Sequence, residues 1–265
     1  MADAKTTDHE LQGQIALVVG GSSGIGWHSA MLLARRGANV AILADREVET
    51  AVALAAKSGV ELLGISGDAS LYATMHDAVE RAVQRFGGLH IAVNSVAVHP
   101  YANAGDTAEE TWDRVMAVNL KSVFLMAHHA LPHMLAQGSG AIVNVASIQG
   151  TACQPDVSAY ATSKAAILGF TRTLAVDYTR RGIRSNSVSP GAIRTPLLDL
   201  SVAKFGNGRS AEECFADWGK GIPTGRIGEA DEVAEVIAFL AGPRASYVSG
   251  SEFVVDGGVL VKIGI

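Results

Sequence analysis

Three side chains in one stretch, SIQGTACQPDVSAYATSK, carry the clearest chemistry: Ser147, Tyr160 and Lys164. Tyr160 and Lys164 are four residues apart. If Ser158 onward is helical they share a face, and the ammonium lies on the phenol side. A free tyrosine titrates near ~10 and is a poor base at neutral pH. A neighbouring cation favours the phenolate, and lowering the value by about three units requires roughly 4 kcal/mol. A tyrosine tuned in this way gives or takes a proton at a carbonyl or alcohol oxygen. By itself Tyr-x-x-x-Lys is equally a surface helix pair, so the elements around it must decide.

Those elements alternate regularly. IALVV, residues 15–19, is a short continuous apolar run, the form of a strand buried on both faces. Further strands are expected at 39–44, 61–66, 89–94, 140–147, 183–189 and 252–255. Helices are expected from the glycine-rich turn to about 36 and at 47–57, 71–86, 107–118, 121–137, 158–181 and 229–241. This alternation implies an α/β fold with a single doubly wound parallel sheet, Rossmann-like, and helices on both faces. No repeat or linker marks a second domain, so residues 1–10 read as a flexible lead and 11–265 as one domain. Residues 197–223 read as irregular. With Phe205, Phe215, Trp218, Gly206 and Gly208, they form a candidate lid or, equally, a packed surface excursion.

The first strand runs into VGGSSGIG, and glycines 20, 24 and 26 stand where a strand opens into a helix. Backbone N–H groups and a helix N-terminus can face a pyrophosphate there. A glycine turn alone is weak evidence, since tight turns need glycine for steric reasons. Asp45 strengthens it: the carboxylate follows the second strand, 19 residues after Gly26, where it can accept both adenosine ribose hydroxyls. A loop Asp capping the next helix is the plain alternative.

Composition narrows the classes. The 265 residues are 48% hydrophobic and 18% charged with net charge −5, enough for a large core and wrong for disorder. No block of Lys and Arg appears, so neither nucleic acid nor an anionic membrane is expected as a partner. Cys153 and Cys214 lack metal-ligand spacing and suit a reducing, cytoplasmic setting. No secretory signal and no bilayer-spanning run is read, and no metal site is expected. His128 and His129 are adjacent and project to different sides of a helix. His99 follows the fourth strand and could line the pocket, although a loop histidine is more often solvated. Cys153 reads as pocket wall, because no base is placed to activate it.

Over roughly residues 11–258 the chain resembles the short-chain dehydrogenase/reductase family, in its shorter single-domain branch. Gly20, Gly24, Ile25 and Gly26 match the family's glycine motif, Asp68 its adenine-side Asp, and Asn119 its active-site Asn. Ser147, Tyr160 and Lys164 match its catalytic set, with the family's interval of 13 from Ser to Tyr. Pro190, Gly191 and Thr195 match its Pro-Gly-…-Thr segment. The resemblance implies that Asn119, Ser147, Tyr160 and Lys164 are catalytic. It implies a nicotinamide cofactor held by Gly20, Ser22, Ser23, Gly24, Ile25, Gly26, Asp45, Arg46, Asp68, Ala69, Asn94, Tyr160, Lys164, Pro190, Gly191, Ile193 and Thr195. Tyr160 would be the general acid or base. Lys164 would lower its pKa and hold the nicotinamide ribose, and Ser147 would bind the substrate oxygen. Asn119 would interrupt its helix and hold a water leading from Lys164. Two positions depart from the pattern: Val19 stands where the family has Thr, and NSVA (94–97) where it has Asn-Asn-Ala-Gly. The pair reads as one repacked contact, with the extra methyl of Ala97 near the nicotinamide.

The implied activity is hydride transfer between a nicotinamide cofactor and a small-molecule secondary alcohol or ketone. The alternatives are a catalytically silent dinucleotide sensor and a 3-oxoacyl-thioester reductase. An enoyl-thioester reductase fits less well, since relatives of that kind carry a longer Tyr-to-Lys gap. Asp45 points to NAD over NADP, because a 2′-phosphate there would set like charges together. Arg46 is the residue that would turn this preference round. The apolar helices 121–137 and 158–181 and the tail 259–265 imply a homotetramer, as in relatives.

Overall fold

The computed structural model describes residues 9–263. Its strands are β1 (Ile15–Val19), β2 (Asn39–Ala44), β3 (Leu62–Ser66), β4 (Ile91–Asn94), β5 (Gly140–Val145), β6 (Ile183–Pro190), β7 (Ile193–Arg194), β8 (Gly228–Glu229) and β9 (Glu252–Val255). Its α-helices are α1 (Gly24–Arg35), α2 (Val48–Lys57), α3 (Tyr72–Phe86), α4 (Glu109–Val115), α5 (Ser122–Gln137), α6 (Ser158–Tyr178), α7 (Pro196–Phe205), α8 (Ala211–Gly219) and α9 (Ala230–Ala241). Seven strands form one parallel sheet in the order β3-β2-β1-β4-β5-β6-β9, while β7 and β8 pair separately.

The pleat explains why the apolar runs are continuous. Along β1, Ala16 and Val18 face a layer containing Met31, Leu33, Val48, Ala51 and Ile237 from α1, α2 and α9. Ile15, Leu17 and Val19 face the opposite layer, with Met75 and Val79 of α3 and Leu125, Met126 and Met134 of α5. Helices on both faces leave no side of β1 to water, so each of its positions is apolar. The strand order turns at β1, whose neighbours are β2 and β4. Parallel sheets of this kind open a crevice beyond their carboxyl ends at that point.

Three expectations need correction. Residues 197–223 are not irregular: α7 and α8 occupy most of them. Pro196 opens α7 at the position where a missing N–H does no harm, and Ser210 and Glu213 form a reciprocal capping box on α8. The lead is not free up to residue 10, because Glu10 is buried between Arg36 (3.0 Å) and Arg244 (2.7 Å); residues 1–8 lie outside the described part. Finally, the helix expected at 107–118 and that at 121–137 are one run, α4 into α5, joined by a π-helical segment, Met116–Lys121. Among the described residues no helix is long and apolar enough to cross a membrane. Of the tail, Val259–Val261 forms a 3-10 turn with Val261 and Ile263 exposed, while residues 264–265 lie outside the described part.

Candidate active site

A cleft of about 1450 Å³ opens over the carboxyl ends of the strands. One end is the turn from Gly20 to α1. Gly20 takes φ +78, and a Cβ there would sit 2.8 Å from the Val96 nitrogen. A Cβ on Gly26 would collide with the Gly20 carbonyl, so the helix can approach the turn this closely only without a side chain. Thr195 lies against Gly24, where an added Cβ would stand 3.3 Å from its methyl. The turn thus offers the bare backbone and helix N-terminus that suit a pyrophosphate. Gly20, Ser22, Ser23, Gly24, Ile25, Asp45, Arg46, Asp68, Ala69, Pro190, Gly191, Ile193 and Thr195 all line the cleft.

At the far edge of this end, Arg46 donates to its neighbour Asp45 from Nε (3.2 Å) and from a terminal nitrogen (3.4 Å). The cation is therefore turned toward the carboxylate. Asp68 accepts from the Ser70 amide (2.8 Å), the Ser70 hydroxyl (2.7 Å) and Arg114 (2.8 Å). Burial works to raise its pKa, but these bonds outweigh it and hold the carboxyl below its ordinary value. Arg114 on α4 also lines the cleft, and no motif pointed to it.

Deeper in, β5 delivers Ser147 and the first turns of α6 deliver Tyr160 and Lys164; all three line the same cavity. The Ser147 hydroxyl accepts the Gln149 N–H at 3.1 Å, capping a 3-10 turn, and its proton remains free to donate. Lys164 is buried, donates to the Val145 carbonyl at 2.8 Å, and places Nζ 5.6 Å from the Tyr160 ring centroid. Burial pushes Lys164 down to about 7. The expected lowering of the Tyr160 pKa is not found in the protein alone. Burial pushes the phenol up to about 12, and Tyr101 adds to the rise; Ser147 acts in the lowering direction. The phenol is therefore protonated in the free cleft.

Asn119 lies inside the π-helical segment, which is the local interruption expected of it. Its side chain is occupied: Oδ1 accepts from the Val98 amide (2.8 Å), and Nδ2 donates to the Val98 carbonyl and the Ser163 hydroxyl, both at 3.0 Å. It ties the loop after β4 to α6 and does not line the cleft. Asn94, expected as a cofactor contact, donates from its side-chain amide to the Ser122 hydroxyl at 3.1 Å, a strand–helix tie, and does not line the cleft. Val19 is buried beside it in the sheet. The Ala97 methyl packs with Val157, Tyr160 and Ala161, which places it against the phenol and not in an empty backbone slot.

Of two loop residues, Cys153 differs from its expected place in the pocket wall, while His99 takes the pocket place that was open to it. Cys153 is exposed and outside the cleft wall, its thiol near the Gln149 carbonyl. His99 is buried, and its ring stacks on Tyr160 with centroids 3.9 Å apart and planes 22° apart. Tyr101 lies on the far side of His99 at 4.5 Å. It meets Phe205 of α7 edge-on at 5.0 Å and shares a 2.5 Å hydrogen bond with Ser201. His129 packs edge-on against Tyr72 of α3.

The comparisons decide the family. A family model described as enoyl-(acyl carrier protein) reductase matches residues 19–260. This chain belongs to the short-chain dehydrogenase/reductase family. A cyclohexanol dehydrogenase from Acinetobacter is 38% identical over 265 residues, covering 97% of this chain and 99% of the relative. A 3-oxoacyl-[acyl-carrier-protein] reductase from Thermotoga maritima is 36% identical, covering 95% and 99%. The ligand-free structure of an aldohexose dehydrogenase from Thermoplasma acidophilum superposes with a TM-score of 0.88 at 28% identity, covering 97% of both chains. The chain is thus an oxidoreductase of a family that uses nicotinamide cofactors.

Proposed function

We propose that this oxidoreductase interconverts a secondary alcohol and its ketone, with Tyr160 as general acid and base and NAD as the preferred cofactor. The observation that carries this reading is the placement of Ser147, Tyr160 and Lys164 in one cavity with the glycine turn. A cofactor extended from that turn would end beside the phenol. When bound, the nicotinamide supplies or accepts the hydride. Gly20 to Gly26 would hold its pyrophosphate, Asp45 the adenosine ribose, Asp68 the adenine side, and Pro190 to Thr195 the nicotinamide side.

The remaining work falls to the chain. Ser147 donates to the substrate oxygen and stabilises the charge that grows there. In ketone reduction Tyr160 gives its proton to that oxygen; the high phenol pKa keeps the proton in place. In alcohol oxidation the phenolate takes the hydroxyl proton, and the Lys164 ammonium favours the phenolate. Asn119 holds the Val98 loop, and with it His99, at a fixed distance from α6.

Tyr160→Phe tests this directly. The expected result is a fall in kcat of about 10²–10⁴-fold with the cofactor Kd unchanged. A variant that keeps most of its kcat would refute the role of Tyr160.

NAD preference rests on Asp45 and on the engagement of Arg46 by it. A ratio of kcat/KM for NAD over NADP at or below one would contradict it. A homotetramer is proposed on the exposed Phe124 of α5 and Val176 of α6, at 47% and 81% exposure, and on the exposed tail residues. Light scattering should return four chains; a monomer at micromolar concentration would refute it. The two free cysteines suit a reducing, cytoplasmic setting.

A further inference from the structure

Two polar atoms in the cleft wall have no partner. Nε2 of His99 and Oε1 of Gln149 are enclosed and hydrogen-bonded to nothing among the described residues. His99 as a whole is 9% exposed. Leaving such an atom unpaired is costly, and an unpaired buried group in a folded protein calls for a cause. Both residues line the cleft, and both adjoin the groups that would hold the reacting oxygen. His99 is stacked on Tyr160, and the Gln149 amide donates to the Ser147 hydroxyl. The cleft lining also includes apolar Val98, Pro100, Ile222 and Val259, and polar Gln154, Ser201 and Lys204.

The chemistry of the pair selects its ligand. Burial, with Lys164 adding to it, holds His99 down to about 4, so the imidazole is neutral at working pH. A neutral imidazole accepts at one nitrogen and donates at the other, and the glutamine oxygen accepts. Neither attracts an anion, and together they suit an uncharged hydroxyl. A half-turn of the imidazole about its last side-chain bond keeps its plane, and with it the stack on Tyr160 and the tilted contact with Tyr101. That turn exchanges the ring edges and can present a nitrogen to the cleft; an amide turn does the same for Gln149. Because one residue lies on Tyr160 and the other beside Ser147, the hydroxyl they reach is close to the reacting carbon.

We propose that His99 and Gln149 form a hydroxyl-recognising subsite beside Tyr160, making the substrate an uncharged secondary alcohol or ketone with a second hydroxyl on a neighbouring carbon. This rests on the alcohol–ketone reading above. Both residues are specificity determinants, since hydride transfer itself does not require either.

The test compares matched pairs with the full chain: trans-1,2-cyclohexanediol against cyclohexanol, and 2,3-butanediol against 2-butanol, by kcat/KM with NAD and NADP. A site built to hydrogen-bond a hydroxyl rejects the analogue lacking it, so each diol should exceed its mono-alcohol by about tenfold or more. His99→Phe keeps a ring for the stack and removes the nitrogens; Gln149→Leu removes the amide. Each should reduce the diol-to-mono-alcohol ratio by about tenfold. The ratio is taken within one variant, so partial loss of folded protein cancels. Turnover without a diol preference, or a preference unchanged in both variants, overturns the subsite alone. No turnover of any of the four alcohols overturns the alcohol–ketone reading, and the subsite with it.

Discussion

The glycine-turn end of the cleft is walled by backbone, and the His99 end by side chains. From Gly20 to Gly26 the surface is peptide, brought close because no Cβ intervenes. From Tyr160 to Phe205 it is a run of contacting rings, His99 stacked on Tyr160, Tyr101 tilted against His99 and Phe205 edge-on to Tyr101, closed by one hydroxyl pair, Tyr101 and Ser201. Backbone recognition is common to any dinucleotide and tolerates almost no substitution. Side-chain recognition can be rebuilt ring by ring, which is how one scaffold serves a cyclohexanol dehydrogenase and a 3-oxoacyl reductase among its relatives. Tyr160 and Lys164 stand at the seam between the two.

That contrast can be broken most severely at Gly26. Gly26→Ala places a methyl on the Gly20 carbonyl. It should lower stability by about 3 kcal/mol and weaken cofactor binding by about 100-fold, since the helix N-terminus must move. Thermal unfolding and cofactor titration check both. No single substitution on the His99 side should match it.

The seam itself should respond through pH. Lys164 titrates at 10.5 when free and about 7 in the fold. Below pH 7 the folded chain holds a buried cation and bears its full desolvation cost. Between about 7 and 10.5 the unfolded chain keeps a proton that the folded chain releases, so this group adds stability as pH rises. Lys164→Met should therefore stabilise the cofactor-free protein below pH 7, by about 2 kcal/mol once the lost Val145 bond is set against the gain. The advantage should vanish toward pH 10.5. Tyr160 acts oppositely above pH 10: its folded value of about 12 means the unfolded chain loses its proton first, and stability falls with pH from 10 to 12.

The two ends were unequally legible in the sequence. The glycines, Asp45 and the Ser-Tyr-Lys set could be read as candidates from residue type and spacing, while Asp68 entered only through the family resemblance; all of these but Gly26 line the cleft. The strands were legible because double-sided burial leaves continuous apolar runs such as IALVV. Residues 197–223 were not, because Gly206 and Gly208 read as breakers while the two helices are set by Pro196, by the Ser210–Glu213 cap and by packing of Cys214 and Phe215. His99 and Gln149 had no pattern to find. Their roles depend on Tyr160 and Ser147 arriving beside them from other elements. Asn94 is a case the sequence could not resolve, since its side-chain amide turns to Ser122 on a helix 28 residues further on.

A smaller test concerns the glycine-turn end alone. Asp45→Ser removes the charge that would oppose a 2′-phosphate and releases Arg46 from its pairing. The NAD-to-NADP ratio of kcat/KM should fall by about tenfold, equivalent to about 1.4 kcal/mol. Substrate preference, measured with each cofactor, should stay constant, because Asp45 is proposed to meet only the adenosine end. A simultaneous shift in both would mean the two ends are coupled.

The finest test addresses the opposite end. Tyr101→Phe keeps both ring contacts, to His99 and to Phe205, and removes only the hydroxyl bonded to Ser201. The loss of one such bond is about 1 kcal/mol, so stability should fall by about that amount. Ser201 lies on α7, whose residues line the cleft, so this bond is a polar link between the contacting rings and that helix. Loosening it should raise KM for substrate about threefold to fivefold, while the cofactor Kd holds. Because the stack remains, kcat should change little. A KM effect with an unchanged kcat places Tyr101 in closure over the substrate. An equal fall in kcat would mean that Tyr101 helps hold the phenol of Tyr160 through His99. The side-chain wall would then belong to the proton-transfer machinery as well as to selection.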